Sequence, residues 1–74
     1  MGSLREKFGI RVKALRVQKN LTQEQLAAKA DISVDFLSLI ERGVSAPSFE
    51  TIEKLASALE VDIKDMFHFA PSTR

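Results

Sequence analysis

Cysteine is absent from the 74-residue chain, which removes disulfides and thiolate metal sites as supports for so small a fold. Helix packing, with or without a second copy of the chain, has to suffice. Histidine occurs once, as His68 near the C-terminus, and there is neither a glycine-rich phosphate loop nor a His-rich metal spacing. Acidic side chains are scattered along helical surfaces, and Glu50 with Lys54 reads as an i,i+4 ion pair rather than an acid and a base in a pocket. Catalysis, metals and cofactors therefore find no footing, and no small-molecule ligand is evident. Proline and glycine are too few for a disordered chain. No apolar run approaches the roughly 18 residues of a membrane span, and the N-terminus lacks a signal-peptide core, so the cytoplasm is the expected location.

What remains is ordinary globular material, 45% hydrophobic and 28% charged. A chain of this length makes one domain that buries only about 60% of its unfolded surface. The net charge of +1 is far from the strongly basic balance of many nucleic-acid binders. Its distribution is more telling. Residues 1–21 carry six bases against Glu6 alone, for +5, whereas residues 22–74 carry five bases against nine acids, for −4. One end is basic, which fits either a solvated helix face or a phosphate-facing one.

Leu4, Phe8, Val12 and Leu15 recur at helical spacing and predict an amphipathic helix from Leu4 to Lys19, with Asn20 as its left-handed end. Thr22-Gln23-Glu24-Gln25 fits a capping box that starts a second helix, and Ala27 and Ala30 allow a close neighbour. Asp31-Ile32 breaks it. Ser33 caps a third helix, with Phe36, Leu37 and Ile40 on one side and Val34, Asp35, Ser38 and Arg42 on the other. Gly43 ends that helix, Ser48 caps a fourth with Ile52, Leu55, Ala56 and Leu59 inward, and Asp62 caps a short fifth through Phe67. The fold class is all-α, a compact five-helix bundle over residues 4–69. Met1-Gly2-Ser3 reads as an expression remnant and residues 70–74 as a flexible tail.

Two short helices joined by a tight turn form a helix-turn-helix unit over residues 22–41. The run 22-TQEQLAAKADISVDFLSLIERG-43, preceded by 15-LR-16 and followed by 46-APSFETIEKLASALEV-61, resembles the Cro and phage-repressor type of helix-turn-helix domain, also called XRE-like. The likeness covers about residues 8 to 67. It implies a homodimer on double-stranded DNA with the third helix in the major groove. Thr22 and Gln23 would then meet a phosphate at the start of helix two. Ser33, Val34, Asp35 and Ser38 would face base edges, and Arg42 could reach a guanine or a phosphate. Arg16 and Glu41 stand where many members pair an arginine with a glutamate, a structural ion pair between helices one and three. The chain departs from the pattern in carrying Asp31 where glycine is common in the turn. It also departs in offering Val34, Asp35 and Leu39 where Gln, Arg or Lys often read.

Those departures make bidentate guanine reading by the first turns of the helix unfavourable. Val34 can meet a thymine methyl or simply cover the helix start. Asp35 can accept from a cytosine amine or serve as a dipole partner. Ser38 can bond several edges or be plain surface, and basic groups of helix one would supply the salt-dependent attraction. Dimerisation doubles the contacts and sets half-sites about 34 Å apart. Ile63, Met66 and Phe69 are candidates for the dimer interface, with Phe67 inward; alternatively all fold back on helices one and four. A bare domain of this kind also resembles the controller proteins of restriction-modification systems, which regulate their own operon. The reading is thus a DNA-binding transcriptional regulator on a palindromic operator. Its rival is a protein-interaction module or antitoxin-like partner that kept the fold and lost DNA reading, favoured by the acidic, apolar third helix.

Overall fold

The computed structural model describes residues 2–69; the proposed tail at residues 70–74 lies outside them. Four α-helices follow one another: α1 (Leu4–Gln18), α2 (Gln23–Ala30), α3 (Val34–Glu41) and α4 (Phe49–Leu59). A 3-10 turn over Ile63–Phe67 closes the chain. Each helix starts where a hydroxyl satisfies the third amide. Ser3 Oγ accepts from Glu6 N, Thr22 Oγ1 from Gln25 N at 3.1 Å, Ser33 Oγ from Phe36 N at 3.0 Å, and Ser48 Oγ from Thr51 N at 3.1 Å. Ser3 thus works as a cap, and Glu6 answers it by accepting from Ser3 N at 2.8 Å.

A left-handed residue follows each of the four helices. Asn20 (φ 60°), Asp31 (φ 57°) and Glu60 (φ 59°) follow α1, α2 and α4, and Gly43 (φ 74°) follows α3. Gly43 is required twice over, because a Cβ there would fall 2.8 Å from the Cγ of Glu6.

α1 lies against α3, α2 packs on both α3 and α4, and the 3-10 turn covers α1 and α4. Phe8, Val12, Leu15, Leu26, Leu37, Ile40, Leu55 and Leu59 interlock in the buried core, each contributing about 1.5–3 kcal/mol of burial. No helix among the described residues is long and apolar enough to cross a membrane.

The fifth element differs from the sequence expectation in two respects. It is a 3-10 turn rather than a helix, so the described fold has four helices and not five. Only five residues separate Asp62 from His68, and the closing bonds run Asp65 N to Asp62 O and His68 N to Asp65 O, each three residues apart. Met66 and Phe67 also exchange places. Met66, expected at a dimer seam, is 0% exposed in the core, while Phe67, expected inward, is 37% exposed. The unbranched thioether fills the irregular gap between α1 and α4. The Phe67 ring instead rests on the rim, 5.2 Å from the ring of Phe8.

Candidate nucleic-acid interface

The α2–α3 turn is built from a left-handed Asp31, a half-buried Ile32 and the cap Ser33. Ile32 N bonds Ala27 O at 3.0 Å and Asp31 N bonds Ala28 O at 3.2 Å, so α2 closes in a Schellman-like way and leads directly into α3. Aspartate stands in for glycine here because its short polar side chain tolerates the left-handed conformation.

On α3, Leu37 and Ile40 are fully buried and Phe36 is half-buried against the core. That orientation leaves Asp35 and Arg42 exposed and Ser38 and Leu39 half-buried. Val34 is half-buried and packs on the edge of the core, so part of its surface is already in use. Ser33 Oγ is occupied as an acceptor by Phe36 N, which leaves only its O–H to donate. Thr22 is held likewise: its amide donates to Gln25 Oε1 at 2.8 Å and its hydroxyl caps Gln25 N.

A buried polar cluster joins the three N-terminal helices. Arg16 Nε donates to Glu41 Oε2 at 2.7 Å and Arg16 Nη2 to Glu41 Oε1 at 3.2 Å, a side-by-side fork of the strong, directional kind. Arg16 Nη1 donates to Leu21 O at 2.8 Å, fixing the loop that feeds α2. Gln23 Nε2 also donates to Glu41 Oε1, at 3.0 Å. Glu41 is only 7% exposed, and every buried side-chain polar atom among the described residues has a partner. Buried charge is tolerated where it is paired and hydrogen-bonded in this way. The bond from Gln23 had no sequence signal, because its partners are eighteen positions apart on different helices.

Two of the basic residues of α1 serve the fold. Arg16 is bound to Glu41, and Arg11 Nε donates to Asp65 O at 2.7 Å, pinning the 3-10 turn. Arg5, Lys7, Lys13 and Lys19 remain exposed. Lys19 caps α1 three residues before Thr22, the N-cap of α2.

Away from α3, an apolar groove of about 470 Å³ runs between the start of α1 and the start of α4, lined by Leu4, Phe8, Pro47, Phe49, Ile52 and Phe67. Phe49 is 86% exposed at its edge and Ile63, on the 3-10 turn, 45% exposed. Phe69 is half-buried, with its ring 6.3 Å from that of Phe67 in an edge-on arrangement. Leu4 and Phe49 carried no sequence signal as surface residues, because each sits at an apolar position of an amphipathic helix.

A small helical domain with a capped α2, a tight left-handed turn and an α3 clamped to α1 is a helix-turn-helix DNA-binding transcriptional regulator. The chain belongs to the helix-turn-helix family HTH_3, of XRE type, which matches residues 12–66. Control protein C.BamHI of Bacillus amyloliquefaciens is 40% identical over 68 residues, spanning 90% of this chain and 84% of its own. The immunity repressor protein of Bacillus phage phi105 is 46% identical over 55 residues, which make up 74% of this chain and 38% of the repressor. The restriction-modification controller protein C.AhdI from Aeromonas hydrophila has a similar crystal structure. It superimposes with a TM-score of 0.83 at 37% identity, covering 84% of this chain and 94% of C.AhdI.

Proposed function

We propose that the protein is a cytoplasmic transcriptional regulator that binds a roughly palindromic operator as a homodimer and acts by occupying it. Autoregulation in the manner of a restriction-modification controller protein or a phage repressor is the favoured biological setting. One observation carries the reading: α3 is held from behind by Leu37, Ile40 and Glu41, so Asp35, Ser38 and Arg42 form its outer strip beside the capped start of α2. Major-groove reading needs such a helix, rigidly held and open on one side.

In this reading Gln23 and the free amides at the α2 N-terminus take a phosphate, with Thr22 setting the cap and Lys19 adding charge. Val34, Asp35 and Ser38 face base edges, Ser33 donates its hydroxyl proton, and Arg42 reaches a guanine or a phosphate. Reading is by small groups, so attraction rests on charges outside α3. The dimer seam is assigned to Ile63, Phe67 and Phe69 with Phe49, since Phe49 and Phe67 line one groove, the Phe69 ring meets that of Phe67 edge-on, and Ile63 is exposed on the same 3-10 turn as Phe67.

Binding of random genomic fragments, followed as salt is lowered, tests the reading. Affinity should rise steeply, because each phosphate contact made by a base releases counterions. A flat response would favour the rival interaction module, for which the single base among the reading positions of α3, Arg42, is the supporting observation. Selection of tightly bound fragments would then define the operator.

A further inference from the structure

We infer that Glu41 is a positioning residue for DNA binding, acting through Gln23. The carboxylate of Glu41 accepts from Gln23 Nε2 at 3.0 Å while both its oxygens are held by Arg16, at 2.7 and 3.2 Å. A side-chain amide can turn over and exchange its oxygen for its nitrogen at little cost in open solvent. Beside Glu41 it cannot, because the turned amide would set its own oxygen against a carboxylate that accepts and never donates. Arg16 bars the carboxylate from rotating to avoid this. Gln23 is thereby locked with its nitrogen at Glu41, and the second N–H of that nitrogen is left as a donor at the first position of α2.

The lock matters for the anion that the α2 N-terminus takes. Gln23 N and Glu24 N have no helical acceptor, because the first bond within the helix is Leu26 N to Thr22 O and the cap satisfies Gln25 N. An amide nitrogen added to these two amides completes a set of donors. An amide oxygen there would repel a phosphate instead. Glu41 therefore selects the donor form of Gln23 before DNA arrives, and the ordering cost is met in the free protein. Glu41 touches no DNA in this account; it works from behind.

The inference rests on the reading of Gln23 as a phosphate contact, and the test separates the two. Affinity for a random-sequence duplex is measured for the unaltered protein, Glu41→Gln, Gln23→Ala and the double variant, with thermal unfolding recorded in parallel. Gln23→Ala should weaken binding at least about tenfold, as loss of one hydrogen bond to a charged group does. Glu41→Gln should weaken it by a smaller factor, about twofold at each subunit because half of the unlocked amides turn away, when Gln23 is present and have no further effect on affinity when Gln23 is Ala. Equal losses from Glu41→Gln in both backgrounds would overturn the positioning role and leave the phosphate contact standing. No loss from Gln23→Ala would overturn the phosphate contact and the inference together. Should Glu41→Gln fail to fold, the unaltered protein still decides. The side-chain amide protons of Gln23 should exchange with solvent more slowly in NMR spectra than those of the exposed Gln18, and equal exchange would refute the lock.

Discussion

Gly9 of α1 rests on the backbone of Glu41 in α3: a Cβ built at Gly9 would fall 2.8 Å from the Glu41 carbonyl oxygen and closer still to that of Ile40. The crossing brings Arg16, two turns further along α1, level with the Glu41 side chain. Gly9→Ala therefore sets two effects against each other. Alanine gains about 1 kcal/mol of helix propensity, but pushing α1 off α3 costs roughly 1–3 kcal/mol of overpacking and strains the buried ion pair as well. The clash wins, since backbone atoms cannot step aside as a flexible side chain does. Urea unfolding should show Gly9→Ala destabilised by about 1–2 kcal/mol, and a midpoint at or above that of the unaltered protein would contradict the crossing.

Glu60 ends α4 with φ 59°, a conformation that a side chain with a Cβ resists and glycine does not. Its carboxylate also stands at the negative end of the helix dipole. Glu60→Gly should raise stability by about 0.5–1 kcal/mol, after the added freedom of the unfolded chain is set against the relieved strain. A fall in the thermal midpoint would mean that the Glu60 side chain makes a contact worth more than the strain.

Val34→Ala and Ser38→Ala should shift which operator sequence is preferred, by about 1 kcal/mol at the base pair each faces, the worth of a methyl contact or a single neutral hydrogen bond. Lys19→Ala should weaken binding to all sequences alike and lower the salt slope of the dimer by about two, one for each copy. Competition between selected and random duplexes separates these outcomes. Uniform losses from all three substitutions would refute the division between reading and attraction.

Ile63→Glu and Phe49→Glu place charges at 45% and 86% exposed apolar positions, so each should leave the monomer folded and break the dimer. Sedimentation at fixed concentration reads the result, and a dimer that survives both would remove the proposed seam. Met66→Glu is expected to behave differently. Its side chain is 0% exposed, and an unpaired buried charge should unfold this small domain outright.

The class of fold was legible along the chain. Caps at Thr22, Ser33 and Ser48 and left-handed stops at Asn20 and Gly43 are local chemistry, in which a hydroxyl or a missing Cβ acts on backbone atoms a few residues away. Apolar periodicity assigned Val12, Leu37, Ile40 and Leu55 to the interior for the same reason. The terminal segment reads in sequence as a short fifth helix with Phe67 inward, and both expectations fail because a five-residue 3-10 turn has no periodic face to reveal which side goes inward.

Local pattern by itself thus determined where α2 and α3 start and stop, where α1 ends and α4 begins, and most of the faces they hide. Only the tertiary structure decided that Met66 rather than Phe67 fills the core, that Arg11 and Arg16 spend their charge within the fold, and that Gln23 meets Glu41. The physical reason is shared. Caps and periodicity act over one or two turns of backbone, whereas these choices depend on which side chains from distant helices meet once the core has closed.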